Sequence, residues 1–171
     1  LLLSNNDEPD KSIIDTVSKI ISNVRVRSDQ ALLEYTNHFD KRSATFASLE
    51  ISQQDLQSAL ERIPRSLRKN LEHAAQRIRE FHEKQRQTTW SYEDDAGNML
   101  GQKVTPLDCV GVYVPGGKAA YPSSVLMNVI PAHVAGVKDI IMVVPTPNDE
   151  RNDLVLAAAG IAGVHKIFSI G

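Results

Sequence analysis

The chain has 171 residues, 42% of them hydrophobic, a formal net charge of −2 and a single cysteine, Cys109. That length suits one domain or two small ones, and the near-neutral charge offers no large basic field to nucleic acid or to an acidic membrane. One cysteine excludes an internal disulfide and a cysteine metal cage and points to a reducing, cytoplasmic compartment.

No window approaches the ~18 consecutive apolar residues of a membrane span. The opening "LLLSNNDEPD" has no basic n-region, is too short for a secretory leader and lacks an initiator methionine. The other end, "KIFSIG", stops on an apolar run. Both ends are those expected of a chain cut from something longer.

Charge divides the chain. Residues 1–103 carry 15 of the 19 Lys and Arg and 16 of the 21 Asp and Glu, which predicts amphipathic helices there and a more buried α/β unit afterwards. The first helix is expected over Lys11–Val26, capped by Asp10, with Ile13, Ile14, Val17, Ile20, Ile21 and Val24 at 3.6-residue spacing. A second begins near Ser28-Asp29 and should bury Ala31, Leu32, Tyr35 and Phe39. "FASLEIS" reads as a short edge strand. Ser52 and Asp55 form an S-x-x-D cap before a helix carrying Leu56, Ala59, Leu60 and Ile63. Pro64 suits the first turn of the longest helix, whose apolar stripe is Leu67, Leu71, Ala74, Ala75, Ile78 and Phe81. Arg68–Glu72, Arg79–Glu83 and Glu80–Lys84 are spaced as i,i+4 pairs, each worth ~0.2–0.5 kcal/mol.

Asp95-Ala96-Gly97-Asn98 marks a turn between short strands. Beyond it the pattern alternates: strand Cys109–Val114, helix Ser123–Ala135, strand Ile140–Val144, helix Asp153–Ala162, strand Lys166–Ile170. This β-α-β-α-β order is that of a parallel sheet with crossover helices. The fold class expected is therefore α/β, a helical amino-terminal segment followed by the α/β unit.

"GVYVPGGKAAYPSSVLMNVIPA", residues 111–132, draws attention to one loop. Ligands of open α/β sheets bind at the carboxyl ends of the strands, and Pro115-Gly116-Gly117 falls just past such an end. Gly116 and Gly117 allow close backbone approach, and free N–H groups near Pro122-Ser123 favour an anion. Neither G-x-G-x-x-G nor G-x-x-x-x-G-K-[ST] is present. The plainer reading is a βα turn that needs glycine for geometry alone, with Lys118 merely solvated.

The run "LGQKVTPLDCVGVYVPGGKAAYPSSVLMNVIPAHVAGV", residues 100–137, resembles the corresponding segment of histidinol dehydrogenases. The likeness continues upstream through "SDQALLEYTNHFD" and "AAQRIREFHEKQ" and downstream through "AAAGIAGVHKIFSIG". The resemblance implies an enzyme that oxidises L-histidinol to L-histidine in two NAD-dependent steps through a held aldehyde. It also implies a zinc-containing homodimer with two incomplete Rossmann-like domains. On that footing residues 1–108 belong to an incomplete part of the substrate-side domain, and 109–171 form an incomplete Rossmann-like NAD-binding unit. The tyrosine of the family's G-x-Y-[VI]-P-G-G motif touches NAD, which carries over to Tyr113; Pro115, Gly116 and Gly117 match the turn beside it. Tyr121 and Ser123 are further lining candidates. The alternative for Tyr113 is a tyrosine capping the sheet edge.

In the family the zinc ligands, the glutamate that activates water, the histidine bases and a Gly-Ala-Gln segment meeting NAD follow "FSIG". No catalytic or metal residue is therefore carried over, and the isolated chain is expected to be inactive. His38, His73, His82, His133 and His165 form no ligand-spaced pair: His38 and His82 read as packed or partly exposed histidines near apolar helix faces, and His73 as solvated. His133 and His165 fall near the ends of the βα units. Cys109, without a neighbouring cation or helix start, reads as a buried strand residue. Glu93-Asp94-Asp95 reads as a solvated turn, and "NDERND", residues 148–153, as an exposed loop capping the next helix. Apolar helix faces left uncovered should drive self-association. The competing readings are a related zinc- and NAD-dependent dehydrogenase of another small polar alcohol, and a stand-alone nucleotide-binding module without chemistry.

Overall fold

The computed structural model describes residues 11–116 and 120–171; Asp10, Gly117 and Lys118, singled out above, lie outside them. Helix α1, Lys11–Asp40, is interrupted at Ser28 (φ 52°, ψ −134°), so it consists of two helical stretches meeting where Ser28-Asp29 was expected to start a new one. Asn23 Nδ2 donates to the Tyr35 hydroxyl (2.6 Å), and Arg27 pairs with Glu34 (2.5 Å) across the break. Ile13, Ile14, Val17 and Ile21 are exposed, and Ile20 and Val24 are half-buried, so most of the apolar stripe of the first stretch is uncovered among the described residues. The second stretch buries Ala31, Thr36 and Asp40. Phe39, expected inside, is 56% exposed and stacks on Tyr35 instead.

"FASLEIS" is only partly a strand. Phe46–Leu49 forms one helical turn (α2), because Thr45 and Ser48 cap each other, and the strand that follows, β1, is Glu50–Ile51. Ser52 and Asp55 make the expected reciprocal cap at the start of α3, Gln53–Arg62. Helix α4, Arg65–Glu83, has Pro64 at its N-cap and faces the core with Leu71 and Ala75. Phe81, at the end of its stripe, is 61% exposed. Of the three spaced pairs only Arg68–Glu72 (2.8 Å) forms among the described residues; Glu80 accepts from Gln76 instead. A hairpin follows, β2 (Trp90–Glu93) antiparallel to β3 (Met99–Gln102), exposed along its length. Its turn is held by Asp94, which accepts from Ala96 N, Asn98 N and Asn98 Nδ2; the Asn98 hydrogen bonds are the main reason its carboxyl titrates below the usual range.

Strands β4 (Cys109–Tyr113), β5 (Asp139–Val143) and β6 (Lys166–Phe168) are parallel, and β1 pairs antiparallel to β6, giving the order β1-β6-β5-β4. The crossovers are α5 (Pro122–Ala135) and α6 (Asp153–Ala162), each ended by a glycine in the left-handed region, Gly136 and Gly163. Left-handed φ is disfavoured for residues with a Cβ, so these two stops are written into the sequence. Helices α3 and α4 pack on α5 and α6. The core is one cluster in which Val112, Ile140, Met142 and Ile167 of the sheet meet Val125, Leu126, Val129, Ile130, Val155 and Leu156 of the crossovers.

Alternation along the strands then exposes an asymmetry. Val112, Ile140, Met142 and Ile167 point into the core, whereas Cys109, Gly111 and Tyr113 are exposed and Ile141, Val143 and Phe168 are half-buried on the opposite face. Parallel sheets ordinarily bury both faces; among the described residues this one buries a single face. Cys109 therefore corrects the buried assignment: it starts the edge strand on the uncovered side.

Candidate functional site

The segments leaving β4 and β5, with Ile51 of β1 and the start of α6, form a cavity of about 490 Å³. It is lined by Ile51, Pro115, Gly116, the segment Val144–Asn148, and Glu150–Asn152 with Val155 and Leu156 of α6. That volume lies within the range of small-ligand sites, ~300–1,000 Å³. Its position, at the carboxyl ends of parallel strands, is where such sheets bind ligands.

Pro145 is the hub. A Cβ on Gly116 would fall 2.4 Å from the Pro145 carbonyl oxygen, and one on Gly171 would fall 2.5 Å from Pro145 Cβ. The chain leaving β4 and the chain leaving β6 are thus pressed against the chain leaving β5, and glycine is what permits it. Pro115 and Gly116 line the cavity. Tyr113 ends β4, 57% exposed, on the uncovered face in register with Val143 and Phe168. Its ring is at the rim rather than in the wall. Tyr121 is the N-cap of α5 without a side-chain cap bond, and Ser123 is exposed on its first turn.

The loop after β5 carries geometry the sequence did not announce. Asn148 (φ 56°) and Asp149 (φ 61°) are consecutive left-handed residues, a state that costs roughly 1–2 kcal/mol per ordinary residue and less for Asn or Asp. The last residue of α1, Asp40, and Arg42 just beyond it hold this loop. The Asp40 carboxylate accepts from Thr146 N (3.0 Å), and Arg42 Nη1 donates to Thr146 Oγ1 and to the Ser169 carbonyl (3.0 Å). Arg42 Nε lies 2.7 Å from Asp149 Oδ1 in an ion pair whose N–H is not aimed squarely at the oxygen. The Arg42 side chain is 2% exposed and that of Asp149 59%. Sequence reasoning missed Asp40, Arg42, Thr146, Ser169 and Gly171. Asp40-Lys41-Arg42 looks like a solvated helix end, and only the turn-prone Asn148-Asp149 pair hints at an unusual loop.

On the far side of the loop, Asn152 caps α6 through Leu154 N and Val155 N, as "NDERND" suggested. Arg62 of α3 grips Asp153 with two hydrogen bonds (2.8 and 2.6 Å), which hold that carboxyl below its usual range. Asp55 is also lowered, first by the Ser52 hydroxyl.

The histidines gather no metal site, and among the described residues no group of three or more His, Cys, Asp or Glu stands close enough to hold a metal ion. His133 and His165 meet edge-to-face (5.6 Å) away from the cavity, His133 Nε2 bonding the Gly163 carbonyl and His165 Nδ1 accepting from Ile140 N. His82 Nδ1 bonds the Ile78 carbonyl, His38 packs edge-on against Phe39, and His73 is exposed. No helix of the described residues is long and apolar enough to cross a membrane.

A three-stranded parallel α/β unit with a cavity beside Gly116 at its strand ends is an arrangement of the open α/β class, the sheet type that in cofactor-dependent enzymes holds ligands at this end. The histidinol dehydrogenase family model matches residues 3–171, and the chain belongs to that family. It is 57% identical over 156 residues to the histidinol dehydrogenase of Neisseria meningitidis, covering 91% of this chain and 36% of the relative. With that of Chromobacterium violaceum it shares 56% over 171 residues, 99% of this chain and 39% of the relative. The crystal structure of histidinol dehydrogenase from Elizabethkingia anophelis superposes with a TM-score of 0.86 at 29% identity, covering 93% of this chain and 36% of that one. The chain thus spans well under half the length of the relatives it matches. Their likeness bears out the mixed α/β class with its helical start and partial parallel sheet.

Proposed function

We propose that this chain is the amino-terminal part of a cytoplasmic histidinol dehydrogenase, an enzyme that oxidises L-histidinol to L-histidine with two NAD. The observation that carries the reading is the family match along residues 3–171, together with a cavity at the parallel strand ends. Residues 1–108 then belong to the substrate-side domain and 109–171 to the NAD-binding unit.

The cavity has room for part of a dinucleotide and not the whole, so the remaining walls come from outside these residues. When bound, NAD accepts the hydride removed from the substrate carbon. The part of this chain is to shape and hold. Gly116 lets the backbone close on Pro145, Pro115 stiffens the turn, and Tyr113 offers a ring face and a hydroxyl at the rim. Gly117, next in the motif and outside the described residues, is assigned with them from the sequence alone. The described residues do not suit zinc, and its ligands are assigned elsewhere in the parent protein. By itself the chain is predicted to produce no NADH from L-histidinol.

The test uses the full-length protein that carries this chain. Tyr113→Ala should weaken NAD binding about tenfold or more, equivalent to ~1.4 kcal/mol, in a fluorescence titration. Tyr113→Phe should lose less. An affinity unchanged by the alanine removes Tyr113 from the cofactor site, and the absence of NAD-dependent histidinol oxidation removes the reading itself.

The uncovered apolar faces of α1 and of the Trp90–Tyr92 side of the hairpin support a homodimer in the parent protein. Sedimentation of the full-length protein should give a dimer, and a monomer at micromolar concentration would refute it.

A further inference from the structure

We infer that Arg42, together with Asp40, is a positioning residue for the cofactor crevice, holding the Thr146–Asp149 loop in the shape that faces Gly116. The inference rests on the cofactor reading above and adds to it a control point in the helical segment, more than 60 residues away from the glycine turn along the chain.

The partners of these two side chains make the case. Every polar contact described for the Arg42 side chain goes to the end of β6 or to the loop after β5: the Ser169 carbonyl, the Thr146 hydroxyl and the Asp149 carboxylate. Asp40 takes the backbone N–H of Thr146. Thr146, 3% exposed, and Ser169, wholly buried, are fixed with them. Thr146, Pro147 and Asn148 in turn form one wall of the cavity. A single buried cation therefore sets the spacing of two strand ends and closes a loop whose Asn148 and Asp149 sit in the left-handed region. Backbone held in sparsely populated conformations persists only when its surroundings impose it, and such places cluster at ligand sites. Here the imposing contacts come from Asp40 and Arg42. Arginine suits the task because its planar fork reaches several acceptors at once, which a lysine cannot do.

Two variants of the full-length protein test this. Asp149→Asn is close in size and tolerates left-handed φ as well as aspartate does, so it removes the ion pair and little else. Arg42→Lys keeps the charge and loses the span. Both should raise the Kd for NAD about tenfold while kcat at saturating NAD stays within about twofold. Without ligand, both should also speed amide exchange across 145–150 by an order of magnitude. NAD affinity equal to that of the unaltered protein in both variants overturns the proposal, whether or not exchange rises. Unchanged exchange overturns it as well. If the unaltered protein does not bind NAD, the cofactor reading has failed, and the positioning role falls with it.

Discussion

Gly116→Ala should destabilise the protein by about 1–3 kcal/mol and, in the full-length enzyme, weaken NAD binding by an order of magnitude or more. The added methyl would lie 2.4 Å from the Pro145 carbonyl oxygen and 2.8 Å from Pro145 Cγ. Neither neighbour is the free end of a flexible side chain. The backbone of one strand end has to retreat, and both walls of the cavity belong to that backbone. A misplacement of about 1 Å is enough to cost ~100-fold where geometry matters. For a domain of this size the expected loss corresponds to roughly 2–12 °C in Tm, readable by circular dichroism. Wild-type Tm and affinity in the variant would mean that the turn has slack the geometry denies.

The second large effect separates the two faces of the sheet. Ile140→Ala should cost about 2–5 kcal/mol, since Ile140 of β5 is wholly buried in the core cluster that the sheet shares with the crossover helices. Ile141→Ala, one residue along the same strand, faces the uncovered side, where its side chain is only half-buried. It should cost less than half as much in urea titrations of the 171-residue chain. Equal losses would show that the second face is packed after all.

The contrast between neighbours also marks what the sequence discloses. Helix and strand positions were legible because apolar spacing, the Ser52–Asp55 cap and the glycine stops at Gly136 and Gly163 are local signals, and local signals decide local structure. Even the interruption at Ser28 was foreshadowed by a second helix starting there. Burial was legible only where a partner is present. Phe39, Phe81 and Cys109 obey the right periodicity yet remain exposed, because amphipathicity states which face wants cover and not whether cover exists. The cavity was found through its glycine turn, whereas its support was not. Arg42 meets Thr146 and Ser169 across 104 and 127 positions, and nothing in a short window connects them.

The two edges of the sheet are not equivalent. Strand β1, antiparallel and two residues long, shuts the side of β6, while β4 keeps an open flank. Among the described residues, a further parallel strand would find the unpaired edge of a parallel strand next to β4. A right-handed crossover travelling in that direction, opposite to the one taken by α5 and α6, lays its helix on the other side of the strands. Ile141, Val143 and Phe168 are the apolar side chains such a helix would meet. In such an arrangement the reversal would fall at the tip of β4, beside Tyr113.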